Sequence, residues 1–163
     1  MSDDRYDIDA LAWSEHQATL LRRVAHGERV NDLDWPHVIE EIEEVGLSQL
    51  RACRSLLRRA LVHLLKIAAW PNADAVPHRR RKTRRFLIDA ADCFAPSMQQ
   101  RIVLADLYRQ ALAQVEPDVF DNQPPAPLPG ICPFAPDDLL IVPPDLALLE
   151  RRLRDAERAP ISP

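Results

Sequence analysis

The sequence predicts an all-α fold: a bundle of four or five helices with a proline-rich C-terminal arm. Three observations point there. Glycine is scarce, at 3 of 163 residues, while Leu, Ala, Arg and Glu are abundant, a composition that suits helices and starves a turn-rich sheet protein. Apolar residues recur at helical spacing through most of the first 116 positions. Nine of the 15 prolines then crowd into residues 117–144, where no long helix can run. The expected division is a helical bundle over residues 1–116 and a proline-rich arm with a short terminal helix over 117–163.

The elements follow in order. Ile8, Leu11, Ala12, Glu15, Ala18 and Leu21 mark a first helix, with Asp9 placed to cap it and Gly27 to stop it. Asp34 sets off a second, in which Val38, Ile39, Ile42 and Val45 are expected to face inward and Glu40, Glu41, Glu43 and Glu44 outward. Gly46 ends or kinks that segment. The longest helix is expected from Ser48 to Trp70, on a stripe of Leu50, Cys53, Leu57, Leu61, Leu64 and Ala68, with Arg51, Arg54, Arg58 and Arg59 mostly outside it and Pro71 as terminator. A fourth helix carries the run HRRRKTRR and continues through Phe86, Leu87, Ala90, Ala91 and Phe94; a fifth covers about Ser97–Val115. In the arm, NQPPAPLPG reads as an extended linker, ICPFAPDDLLIV as a docked helical turn plus extended chain, and Pro144–Glu157 as a charged terminal helix.

Charge is segregated. Residues 1–50 carry net −8, residues 51–85 net +10 and residues 86–163 net −6, giving −4 for the chain. Such a layout either pairs acidic with basic helices or offers the basic one to a polyanion. The basic run also sits in the first half of its helix, the end a helix dipole disfavours for cations, which points to a partner for them. Cys53, Cys93 and Cys132 form no CxxC pair and leave one unmatched, so free thiols in a reducing compartment are expected. An acidic N-terminus unlike a signal peptide and apolar stretches too short for a bilayer extend that expectation to a cytoplasmic, non-membrane protein.

No phosphate loop, dinucleotide fingerprint, zinc-protease motif or nucleophile elbow is present, and no cofactor or metal is assigned. Two polar features remain as candidates. Glu40, Glu43 and Glu44 lie within one helical turn, and His63 and Lys66 neighbour each other on the next helix. If the chain folds back at Gly46, carboxylates reach His63 and Lys66, giving a structural network, an acid–base group or half of a metal site. The second feature is Arg79, Arg80, Arg81, Lys82, Arg84 and Arg85, a polyanion contact or a solvated face, with acidic flanks arguing against strong non-specific nucleic-acid binding. Three functional readings stand: a protein-binding or self-associating accessory factor, a nucleic-acid-associated protein using residues 79–85, and a metal-dependent enzyme using Glu40, Glu44 and His63. The first is favoured, and no enzymatic activity is assigned.

Residues 38–66, VIEEIEEVGLSQLRACRSLLRRALVHLLK, resemble the central segment of the bacterial DUF29 family, whose pattern runs hydrophobic-Ile-Glu-Glu-Ile-Glu, a glycine, then a helix ending His-Leu-Leu-Lys. ALAWSEHQATLLR, FAPSM with LADLYRQA, and ICPFAPDDLL resemble further segments, so the likeness covers most of residues 6–142. It implies an all-helical fold without an established activity, and marks Glu40, Glu41, Glu43, Gly46, His63 and Lys66 as the recurring polar pattern. The chain departs from the family at Ile67 and at Pro77-His78, where the family tends to carry Trp; Trp70 stands near the first of these.

Overall fold

A computed structural model describes residues 5–158. The fold is all-α, but the expectation of four or five helices is corrected: there are seven α-helices among the described residues. These are α1 (Arg5–Ile8), α2 (Ala10–Ala25), α3 (Trp35–Ala69), α4 (Val76–Cys93), α5 (Leu104–Val115), α6 (Pro136–Leu140) and α7 (Leu146–Arg158), with a 3-10 turn at Pro96–Met98. The differences have local causes. Gly46 breaks nothing, because one glycine in a helix costs only about 1 kcal/mol, so the expected second and third helices are one α3. The prolines of the arm allow short helices wherever a proline falls in the first turn, as Pro136 does in α6.

The chain forms two compact units, Met1–Ser48 and Gln49–Pro163. In the first, the Asp9 side chain caps α2 by accepting from the Ala12 N–H at 3.0 Å. Gly27 turns the chain after α2 at φ +85°, a conformation that glycine adopts without strain. The buried side chains are Trp13, Gln17, Leu20 and Val38. Gln17 belongs among them because its Oε1 accepts the Asp34 N–H at 3.0 Å. Asp34 also accepts from the Trp13 indole at 3.2 Å and pairs with His37 Nδ1 at 2.6 Å. Tyr6 stacks on His37 and donates to Glu41 at 2.7 Å, a bond to a carboxylate that pushes its phenol up to about 12.

The second unit has a larger core. Leu50, Cys53, Leu57, Leu61 and Leu64 of α3 are buried as expected, together with Leu87 and Ala90 of α4 and Leu107, Tyr108, Ala111 and Val115 of α5. Residues of the arm join them: Phe134, Leu139, Leu146, Leu149 and Leu153. Polar contacts tie the arm down along its length. The Trp70 indole donates to the Gln123 carbonyl, the Ala126 N–H to the Ala69 carbonyl, and the Tyr108 hydroxyl to the Pro129 carbonyl. Asp145 caps α7 through the Leu148 N–H, and Asp138 holds both the Ala135 N–H and Arg152. The fifth helix starts later than expected, at Leu104, because residues 96–101 form tight turns that bury Met98. All three cysteines are free thiols.

Candidate functional site

Glu40, Glu43 and Glu44 lie in the first unit's stretch of α3, and His63 and Lys66 in the second's. Of the two courses open at Gly46, folding back or running on, the chain takes the second, since α3 is continuous through it. Glu44 and His63 are 19 positions apart in α3. Among the described residues, no three of His, Cys, Asp and Glu are grouped to hold a metal ion. Lys66 pairs instead with Asp118 of the arm at 2.7 Å, which holds that carboxyl below its ordinary value.

His63 is neutral. Burial first, then the charges of Lys66, Lys82, Arg79 and His78, push it down to about 4. Its Nδ1 is sealed from solvent and has no hydrogen-bond partner among the described residues, and its ring lies on Phe86 with centroids 5.7 Å apart.

The basic run is divided. Arg79 is buried. It donates to the Lys66 carbonyl at 2.8 Å, in the last turn of α3 where the helix dipole favours a cation, and its guanidinium lies 4.7 Å from the Phe120 ring centroid. Arg80 grips Glu150 of α7 with two bonds of 2.7 Å, in the forked geometry that suits arginine. Thr83, which interrupts the run, is buried and donates to the Arg79 carbonyl. Arg81, Lys82, Arg84 and Arg85 are exposed, with Arg85 3.8 Å from Asp89. The run is thus anchored through its first two arginines, the partners anticipated from its unfavourable place in the helix dipole.

Two surfaces were not read from the sequence. In the first unit, Trp35, Ile39, Ile42 and Val45 recur at helical spacing on one side of α3 and are 51%, 52%, 68% and 63% exposed, although three of them were expected in the core; only Val38 of that set is buried. Ile8 and Leu11, expected inside, are also exposed. The core face of α2 is Trp13, Gln17 and Leu20, a stripe hidden in the sequence by its central polar residue. In the second unit, the outer arginines of α3 meet α5. An open cleft of about 330 Å³ is lined by Arg58, Arg59, Val62, His63, Phe86 and Gln114. A second depression shares Arg58 with it and brings in Arg51, Arg54 and Gln110, and a third, sharing Arg54 and Gln110 with the second, adds Arg109 and its ion-pair partner Asp106.

The sequence pattern of the family described as "Domain of unknown function DUF29" matches residues 5–141. The chain belongs to the DUF29 family. It is also similar to a crystal structure of an alpha-helical protein of unknown function from Rhodospirillum rubrum, at 28% identity and a TM-score of 0.69, covering 91% of this chain and 96% of that one. No curated protein matches. In this DUF29 chain, Glu40, Glu41, Glu43 and Gly46 lie on the first unit's stretch of α3 and His63 and Lys66 on the second's. Ile67 is buried, and so is Trp70. Among the described residues, no helix is long and apolar enough to cross a membrane.

Proposed function

We propose that this DUF29 protein is a protein-binding accessory factor, and that the bare stripe of its first unit docks a basic amphipathic helix of a partner protein. The observation carrying this is the exposure of Trp35, Ile39, Ile42 and Val45 on one side of α3. A large apolar stripe on a helix surface loses free energy to water until something covers it. Residues 35–48 contain four glutamates and no Lys or Arg, so the flanks of the stripe are acidic. A second copy docking through the same stripe would bring acid against acid. A helix with apolar anchors at i, i+3, i+4 and i+7 and lysines or arginines beside them matches both features.

The test is fluorescence anisotropy with a short labelled peptide of leucines and lysines in helical alternation, added to the full chain at physiological salt. Saturable binding that is lost in Ile39→Ser/Ile42→Ser, and absent for a leucine–glutamate peptide, supports the reading. Equal binding to wild type and variant overturns it, as does a sedimentation dimer that the same double substitution converts to monomer.

A nucleic-acid contact through α4 is the second reading, supported by the exposure of Arg81, Lys82 and Arg84. Neutralising these three would lower the slope of affinity against salt concentration by about 3 if they touch phosphates. An unchanged slope removes the reading.

A further inference from the structure

We propose that the cleft around His63 is an anion site that takes a phosphate-type oxyanion, free or carried as an ester. It lies entirely within the second unit and is independent of the stripe on the first. The side chains lining it are suited to donate: two guanidinium groups from Arg58 and Arg59, the Gln114 amide and the His63 ring. Among the described residues that line it there is no carboxylate to neutralise the arginines.

The donors are partly placed in advance. Phe86 holds two of them, with the Arg59 guanidinium 5.9 Å from its ring centroid and the His63 ring stacked against it. A neutral imidazole carries one proton, and the sealed Nδ1 of His63 has nothing to donate to. A buried N–H without an acceptor is rarer and costlier than an acceptor without a donor. The proton therefore sits on Nε2, leaving an N–H as the ring's available polar group. Lys66, Lys82 and Arg79 add positive field around the ring, that of Lys66 partly offset by its pairing with Asp118. This field disfavours a second proton on His63 and favours an anion beside it. Esters have room to extend, because Arg58 also borders the depression that leads to Arg54 and Arg51.

The test is a titration of the full chain with inorganic pyrophosphate at constant ionic strength, following the His63 ring nitrogens and the Gln114 side-chain amide by NMR. A parallel titration uses adenosine monophosphate. Saturable shifts at both groups are expected, with at least a tenfold loss of affinity in Arg58→Gln/Arg59→Gln at unchanged melting temperature. Bound anion should also raise the pH at which His63 titrates. Tighter adenosine monophosphate binding assigns the ester, and tighter pyrophosphate binding the free ion. Shifts no larger than those from chloride at the same ionic strength overturn the proposal, as does an affinity indifferent to the double substitution.

Discussion

Leu149→Ala tests whether the proline-rich arm is part of the second unit's core. Leu149 lies in the middle of α7, has no exposed surface, and clusters with Leu146, Leu153 and the leucines of α3. Truncation removes the transfer free energy of the lost carbons and adds the cost of the cavity left behind, which for a fully buried leucine comes to about 3 kcal/mol. For a domain of this size the loss should lower the melting temperature by roughly 10 °C. Urea denaturation gives the free energy directly, provided the slope is unchanged and the transition stays two-state. The neighbouring Arg151→Ala, at an exposed position, is the control and should cost under about 0.5 kcal/mol. A Leu149→Ala loss below about 1 kcal/mol would refute the packing argument, since it would mean that α7 is bound too loosely for a buried leucine to matter.

Four further outcomes are expected. Glu150→Gln should destabilise by about 2 kcal/mol in urea titrations, because it removes the charge-assisted fork from Arg80 at a carboxylate that is only 10% exposed. His63 has a folded-state pKa pushed from 6.5 down to about 4, so the unfolded chain takes up a proton first as pH falls. Its contribution is therefore present above about 6.5 and lost between 6.5 and 4, and His63→Leu should flatten stability against pH in that window. The Asp34–His37 pair behaves differently, because the bond between them lowers Asp34 and raises His37. The contribution of Asp34 fades as pH falls through its lowered pKa and that of His37 as pH rises through its raised one, so His37→Gln should trim thermal stability most in the acidic-to-neutral range between them. Ile42→Ser should cost under about 0.5 kcal/mol in urea titrations, whereas Val38→Ala, one turn away and buried, should cost about 1–2 kcal/mol.

Where one face of a helix was apolar and its end was punctuated, the sequence could be read directly. Leu50, Cys53, Leu57, Leu61 and Leu64 line the core side of α3, Pro71 follows its end, and Asp9 caps α2. Gly46 did not end its helix because the penalty for one helical glycine is small, and with α3 continuous the condition for Glu44 to reach His63 is not met. The inner face of α2 was misread for a different reason. Gln17 looks like a surface residue until its bond to the Asp34 amide, 17 positions away, is known. Lys66 and Arg80 announced themselves as charges needing partners, but Asp118 and Glu150 lie 52 and 70 residues distant, and periodicity carries no information over that range. The arginines of the His63 cleft were visible as the outer side of α3. That Gln114 of α5 and Phe86 of α4 would stand opposite them depends on tertiary packing alone.

The fork between Arg80 and Glu150 also bears on how the chain is made. In the first unit the bond from Tyr6 to Glu41 spans 35 residues, half the span of the Arg80–Glu150 fork. The second unit cannot complete its core until α7 has emerged, because Leu146, Leu149 and Leu153 belong to the same cluster as Leu50 and Leu57. Closing loops of this length is slow compared with forming local helices. Until α7 has emerged, the cluster lacks Leu146, Leu149 and Leu153, and its apolar surface is open to chaperones, proteases and neighbouring chains. A stop codon just ahead of α7 would make that interval permanent, and the loss would be one of protein abundance before it was one of any binding site.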